Sequence, residues 1–444
     1  MRAREKERQV KVSNNDLTYD SAVRLVLRKL GGDAVDETHL KAALAAYPEI
    51  SRRLRREINA PPSWALAGLT QMVELEQAGM ERVLKEQQKR QLSLNVPSSQ
   101  ISLDHLFKQF GDVGLDSNFV IQRLVPRLLV EHLLKEETTL NNEEVKQNLI
   151  EVAWQSSQPF GWTLEQLFGS TRLPLNMEVV AKARFKMAVR TNQERTNAYT
   201  VYAHYLALVV LELTAKMPKQ VIPTNPTEVR QAVIKLYGTL TFENVLRYVW
   251  SLGIPVLPLN DAGAFHGACW RNQGHNIIVL KQQTQYLDRW LIDLLHELRH
   301  AGENPEQLEQ EAVETEEIGL ARRNAPEEKI ADRFAWNVAL NSRAEELTKM
   351  CESAARGNIP RLKGVVAKVA NNAGVSAGTL ANYLAYRLSL QGENWWGTAK
   401  SFQSSEPNPL VIARKVFLEH VELVSLNEVD RDLLSQALSE AILN

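Results

Sequence analysis

The chain has 444 residues, of which 44% are hydrophobic and 24% charged, a composition that excludes wholesale disorder and supplies enough apolar material for several cores. Its 52 Lys and Arg against 53 Asp and Glu give a net charge of −1, which excludes a global electrostatic attraction to nucleic acid or acidic lipid. The two cysteines cannot form a disulfide framework, and no apolar run reaches the ~20 residues that span a bilayer, so we expect a cytoplasmic protein of about three domains.

The first 145 residues are predicted to be helical and are the least informative part of the sequence. Apolar residues recur at helical spacing through most of this part, and residues 91–100, which contain proline and serine, are predicted to be a linker. We expect residues 1–145 to be a regulatory or interaction region. Its helices are predicted over 17–30, 36–47, 50–58, 64–88, 103–110, 119–134 and 141–155.

Residues 146–225 are expected to be a helical connector. Helices are predicted over 177–190 and 194–216, where apolar residues follow a helical period. Three prolines then interrupt the helical pattern and mark a boundary with the next domain. They are Pro218, Pro223 and Pro226.

The pattern changes between residues 226 and 345. Short segments rich in β-branched and aromatic residues, separated by glycine-containing turns, are typical of strands. The strands are predicted over 254–259, 264–270 and 276–280, and helices over 226–237, 241–252, 286–301, 306–323 and 327–340. With a helical region at 346–444, the sequence predicts a mainly α protein with a small antiparallel or mixed β-sheet.

The segment HELRH at residues 296–300 contains candidate metal ligands and a candidate catalytic residue. Residues four apart lie on one helix face, so His296 and His300 can present two imidazole nitrogens to one cation. Glu297, beside the first histidine, can act on a water molecule without being a ligand. This HExxH pattern is the helix of zinc metallopeptidases, although it also arises by chance.

A second acidic pair lies about 28 residues downstream. Glu328 and Asp332 are again four residues apart, at the start of an apolar helix. A carboxylate from Glu328 can complete a His₂Glu set with an open fourth position, and Asp332 can accept the free N–H of a ligating histidine. The alternative is a solvated acidic face, because the nearby chain is rich in glutamate.

The chain from about residue 244 to 340 resembles the ImmA/IrrE family of zinc-dependent peptidases. The resemblance rests on LGIPV at 252–256, the strand IIVL at 277–280, HELRH, and EKIADRFA at 328–335, which is similar to the family pattern E-x-x-A-[ND]-x-F-A. It implies a zincin-like core within residues 226–345, flanked by helical N- and C-terminal regions.

The same resemblance implies a function and a set of roles. It implies one Zn²⁺ per chain, held by His296, His300 and Glu328, with Glu297 as the catalytic acid and base. The implied activity is cleavage of a helix-turn-helix transcriptional repressor in stress response or in the control of mobile elements and phage. Arg299 departs from the family pattern, which has a small or uncharged residue there, and we expect it to point to solvent or to pair with a local glutamate.

Several features have more than one interpretation. A donor to the oxyanion could come from His266, His275 or Tyr286, which are also explained as structural or surface residues. The strand at 276–280 could be an edge that aligns an extended substrate, or a strand packed in the core.

Residues 369–384 have the spacing of a helix-turn-helix, with Ala-Gly-Val-Ser at the turn. The second helix offers little besides Asn382 and Arg387 to DNA, which favours a structural corner. Direct DNA binding nevertheless stays open. The alternative to a peptidase is a DNA-binding regulator whose peptidase-like domain is a sensor or a dimerisation module, and a further alternative is a self-cleaving repressor.

Overall fold

A computed structural model describes residues 101–125, 142–177, 184–187, 193–259, 261, 265–309 and 325–439. The chain divides into two units, Met1–Leu94 and Asn95–Asn444, and every described residue belongs to the second. Four predicted helices lie outside the described residues, as do parts of those at 119–134, 177–190 and 306–323. The four are 17–30, 36–47, 50–58 and 64–88.

The first described helices have side-chain caps that the sequence encodes. Ser102 and Asp116 accept hydrogen bonds from backbone N–H groups at the start of the helices they precede. Thr163 and Gln166 form a reciprocal capping box. The helices are α1 (Leu103–Asp112), α2 (Ser117–Phe119), followed by one π-helical turn at Val120–Leu124, α3 (Asn142–Ser157), α4 (Leu164–Leu167) and α5 (Gln193–Leu213).

A small mixed sheet forms the centre of the described chain. Its strands are β1 (Arg184–Met187), β2 (Val256–Leu259), β3 (Phe265–Asn272) and β4 (His275–Lys281), in the order β1-β3-β4-β2. β3 and β4 form an antiparallel hairpin whose turn residues, Gln273 and Gly274, both have positive φ, as the twist of a tight hairpin requires. β2 pairs with β4 in parallel, and β1 pairs with β3 in antiparallel.

Two sequence predictions are wrong here, and the structure decides between two alternatives that the sequence left open. Arg184–Met187 is a strand, not part of a helix over 177–190, because it pairs with β3 and tertiary pairing outweighs local propensity. The strand predicted at 276–280 was interpreted either as an edge or as a core strand, and β4 lies between β3 and β2 in the described sheet with its apolar residues buried, which favours the core interpretation. Residues 306–309, the start of a predicted helix, are turns and bends.

The helices around the sheet follow the predicted pattern closely. They are α6 (Pro226–Tyr237), α7 (Phe242–Ser251), α8 (Leu287–Ala301) and α9 (Pro326–Ala339). α8 packs against β3 and β4 on one side and against α9 on another. Its apolar residues are buried there, which fixes the helix firmly on the sheet. They include Trp290, Leu291, Leu294, Leu295 and Leu298.

The C-terminal region consists of packed helices. They are α10 (Ala344–Ala354), α11 (Ile359–Ala373), α12 (Ala377–Ser389), α13 (Trp396–Lys400), α14 (Pro409–His420) and α15 (Glu428–Leu438). α11 ends at Gly374, which adopts a φ of 65° that favours glycine, and Ser376 caps α12. The predicted class, mainly helical with a small mixed sheet, is confirmed. Within the described ranges, no helix combines the length and apolar character that crossing a bilayer requires.

Candidate metal centre

The two histidines of HELRH lie side by side on α8. His296 and His300 are buried, with 1% and 0% of their surfaces exposed. Their Nε2 atoms are 3.2 Å apart, and the rings meet edge to face with centroids 4.9 Å apart. Because α8 is held by its buried apolar face against the sheet, the helix presents both nitrogens at one point.

A carboxylate from the neighbouring helix faces this pair. Glu328 lies in the first turn of α9, which begins with Pro326, and it is only 7% exposed. Its Oε2 is 3.2 Å from His296 Nε2 and its Oε1 is 3.5 Å from His300 Nε2. The helix spacing that paired the histidines and the packing of α9 on α8 therefore bring all three predicted ligands together.

The three side chains form a group that could hold a metal ion. Their ligand atoms all lie within 4.8 Å of one another. Two imidazole nitrogens and one carboxylate oxygen are the donor set of catalytic zinc sites, which keep a fourth position free. Burial raises the pKa of Glu328, but the hydrogen bonds from His296 and His300 outweigh burial and hold this pKa well below its ordinary value, so the carboxylate is anionic.

Each histidine also has an acidic group near its other ring nitrogen. Asp332, one turn after Glu328 on α9, has Oδ1 3.0 Å from His296 Nδ1, as the sequence predicted. Glu303 has Oε2 3.5 Å from His300 Nδ1. Burial lowers the pKa of His300, and the neighbouring Glu303 and Glu328 carboxylates more than offset this, so its pKa is raised.

Arg299 does not point into the site. Its Nη1 lies 3.4 Å from Glu303 Oε1, which confirms the expectation that this residue pairs with a local glutamate. The guanidinium therefore contacts an acidic group beside the ligands, and its charge is balanced there. The charge of Arg299 therefore faces Glu303.

Glu297 is enclosed next to the ligand group. It is 1% exposed, and its Oε2 is a buried oxygen with no hydrogen-bond partner among the described residues. Burial raises its pKa to about 7, although the neighbouring histidines lower it. A buried carboxylate with an unused acceptor is costly unless a ligand or a water molecule completes it, which marks this position as a functional candidate.

The space for Glu297 comes from β3. A Cβ at Gly267 would lie 2.5 Å from Glu297 Oε1 and 3.0 Å from Cδ, so only glycine leaves room for this carboxylate. Gly267 was not predicted from the sequence, because a glycine in a strand has several explanations and the contact depends on how α8 packs. Glu303 was not predicted either, although its spacing of three residues from His300 was a usable signal.

The three candidate oxyanion donors occupy different places. Tyr286 occupies the N-cap position of α8 without a side-chain capping hydrogen bond, about 15 Å along the helix axis from His296, and is not brought to the ligands. His266 is next to Gly267 on β3, and the strand pleat directs it to the opposite face of the sheet. His275 begins β4, where burial and the charge of Lys219 lower its pKa. The oxyanion role of the two histidines stays a prediction.

The helix-turn-helix-like segment forms a packed corner between α11 and α12. Asn382 is 2% exposed and exchanges hydrogen bonds with the amide of Gln403. Arg387 forms an ion pair with Glu345. Most of the second helix faces the C-terminal core, so the side chains that would read bases are already engaged.

No family model, no curated protein and no solved structure matches the chain. The candidate site therefore rests on the residues and their geometry.

Proposed function

We propose that the chain is a zinc-dependent endopeptidase whose metal is held by His296, His300 and Glu328. The observation that carries the proposal is the position of Glu297, a buried carboxylate with an unused oxygen beside a complete His₂Glu donor set. A group that only binds metal for structural reasons has no need of this fourth acidic side chain. The resemblance to the ImmA/IrrE family supports the same assignment.

Different residues of the site would bind the metal ion and transfer the proton. A zinc ion in this set would supply Lewis-acid polarisation of a carbonyl group and of water. His296, His300 and Glu328 would bind the ion, and Asp332 orients the first imidazole. Glu297 would accept a proton from water at Oε2 and return it to the leaving amine, a role suited to a pKa of about 7.

The proposed substrate is one specific regulatory protein, a helix-turn-helix transcriptional repressor, cleaved in stress response or in control of mobile elements and phage. This part of the proposal rests on the family resemblance. It includes a cytoplasmic location, which the low cysteine content favours, and no role at a membrane.

The alternative is a DNA-binding regulator with a peptidase-like sensor or dimerisation domain. It would need the segment at 369–384, or another basic surface, to contact DNA. The burial of Asn382 and the pairing of Arg387 weigh against that segment.

The test is co-expression of the full chain with a repressor encoded beside its gene, followed by intact mass measurement. We expect one defined cut with the native chain and none with Glu297→Gln, while zinc content stays the same. Glu306→Gln, an exposed glutamate in the loop after α8, is the matched control and should cleave normally. Cleavage by Glu297→Gln at the native rate would overturn the proposal, and cutting of the purified chain itself would favour the self-cleaving alternative.

A further inference from the structure

The loop after α8 brings an acidic side chain back to the second histidine. Glu303 follows His300 by three residues, and 12% of its side chain is exposed. Its Oε2 lies 3.5 Å from His300 Nδ1. Nδ1 is fully buried and makes no hydrogen bond of ordinary geometry within the described residues, so this carboxylate is positioned to serve an otherwise unsatisfied buried nitrogen.

The chemistry of a ligating imidazole explains why this matters. His300 turns Nε2 toward His296 and Glu328, so Nε2 is the atom available to a metal. Nδ1 must then carry the proton, and its acceptor fixes the tautomer and the ring orientation. His296 has such an acceptor in Asp332 at 3.0 Å. His300 needs its own, and among the described residues Glu303 places a carboxylate oxygen 3.5 Å from Nδ1.

The backbone of the loop is fixed to the sheet. Arg271, 5% exposed on β3, donates from Nη2 to the carbonyl oxygens of Ala301 and Glu303, each at 2.8 Å. Asn276 on β4 donates to the Ala301 oxygen at 3.2 Å. The N–H of Glu303 donates to the His300 carbonyl at 3.1 Å. These hydrogen bonds fix the backbone position of Glu303 and so keep its side chain beside the His300 imidazole.

Arg299 holds the other carboxylate oxygen. Its Nη1 is 3.4 Å from Oε1 of Glu303, which follows Arg299 by four residues. Glu303 thus lies between a guanidinium on one side and an imidazole on the other. Such an arrangement directs one carboxylate oxygen to His300 and the other to Arg299.

We propose that Glu303, steadied by Arg299 and by the Arg271 contacts to its loop, is the positioning residue that orients His300 for metal binding. The proposal rests on the metal-binding part of the proposed function. It does not require that the chain be a peptidase. It assigns a purpose to the arginine that precedes the second histidine.

Zinc affinity of the full chain, measured by competition with a chelating dye, tests the proposal. Glu303→Ala should weaken zinc binding by about 10–100-fold, the usual effect of losing a partner of a metal-bound histidine. Glu303→Gln keeps an oxygen acceptor and should retain affinity within a few fold. Arg299→Ala should weaken binding by at most about fivefold, since its ion pair is partly exposed.

The matched control is Glu306→Ala, which removes the same charge from an exposed position of the same loop and should leave affinity unchanged. Cobalt substitution gives a second readout, since a reoriented His300 would change the visible absorption of the bound Co²⁺. Thermal melting of the metal-free variants separates misfolding from misplacement of the ring, and if Glu303→Ala does not fold, Glu303→Ser, whose short side chain also leaves Nδ1 without this acceptor, replaces it in the comparison with Glu303→Gln.

Native affinity and an unchanged cobalt spectrum in folded Glu303→Ala would overturn the proposal. So would equal losses in the Ala and Gln variants. A chain that binds zinc as described but cuts no repressor would contradict the proposed function and leave the role of Glu303 intact.

Discussion

Gly267 on β3 and Glu297 on α8 occupy complementary space: the Oε1 atom of Glu297 lies 2.5 Å from the point where a Cβ of residue 267 would be. The carboxylate is buried, so it cannot escape to solvent without leaving the site. The absence of a side chain at Gly267 thus determines the position of the Glu297 carboxylate, the proposed proton acceptor. The proposed proton transfer therefore depends on Gly267 being a glycine.

The first prediction concerns this contact. Gly267→Ala should displace the Glu297 carboxylate by about an ångström and reduce repressor cleavage about 10²-fold, because misplacement on that scale commonly costs as much. Zinc content should stay at the native level, since the three ligands are untouched. Gly364→Ala, a helical glycine with open space around its Cβ position, is the control. Cleavage within about threefold of native by Gly267→Ala would contradict this.

Asp332 is expected to matter for metal binding more than for folding. Its Oδ1 lies 3.0 Å from His296 Nδ1, and about a third of its side chain is exposed. Asp332→Ala should weaken zinc binding about 10–100-fold with little change in the melting temperature of the metal-free protein. Equilibrium dialysis measures the affinity, and Glu352→Ala, an exposed glutamate on α10, is the control. An unchanged dissociation constant would show that His296 needs no partner.

The C-terminal corner is tied to the helix that carries the site. Ser376 and Thr379, at the start of α12, each donate a hydroxyl hydrogen bond of 2.6 Å to Asp288 Oδ1 on α8. Asp288→Ala should lower the free energy of unfolding by about 1–3 kcal/mol, because the buried Thr379 hydroxyl loses its acceptor. Urea denaturation measures this loss. Asp104→Ala, at the same first-turn position of α1 but exposed, should cost less than about 1 kcal/mol.

Lys281 gives the stability a pH dependence. Burial lowers its pKa to about 8 from an ordinary 10.5, Asp261 opposes the shift and Arg195 adds to it. Between these values the unfolded chain binds more protons than the folded one, so the Lys281 contribution to stability improves as pH rises from about 8 to 10.5. Below pH 8 the buried cation is destabilising by at most about 3 kcal/mol.

Lys281→Met should therefore be more stable than the native chain at pH 7, and its advantage should shrink as pH rises to 10. Urea midpoints at several pH values measure the difference. Lys363→Met, exposed on α11, should show no such trend. A constant gap between Lys281→Met and the native chain across this range would mean that Lys281 is not held as a destabilised cation.

Helical spacing was enough to predict the four side chains that meet at the candidate metal centre. The four-residue intervals in HELRH and in Glu328 to Asp332 each define one helix face, and the structure brings these two faces together. The strands at 254–259, 264–270 and 276–280 were also predicted close to their observed bounds. These features depend on local sequence patterns. The packing of the two helices is in turn limited by the need for their ligand residues to meet.

Other features depend on contacts that no local pattern encodes. Arg184–Met187 alternates basic and apolar residues over only four positions, too few to outweigh the helical spacing around them, and the segment becomes a strand by pairing with β3. The roles of Gly267 and Glu303 follow from the packing of β3 on α8 and from the loop that Arg271 holds. Tyr286 was a candidate because it lies near the motif in sequence. It precedes α8, however, and the length of the helix between it and His296 keeps it away from the ligands.

The metal content of the purified full chain, with X-ray absorption to identify its ligands, tests the central claim most directly. We predict one zinc per chain, bound by two imidazole nitrogens and by light oxygen ligands, and loss of that zinc in Glu328→Ala. Native zinc affinity in Glu328→Ala, or a native chain that binds no divalent metal, would contradict the assignment of His296, His300 and Glu328 as one metal centre.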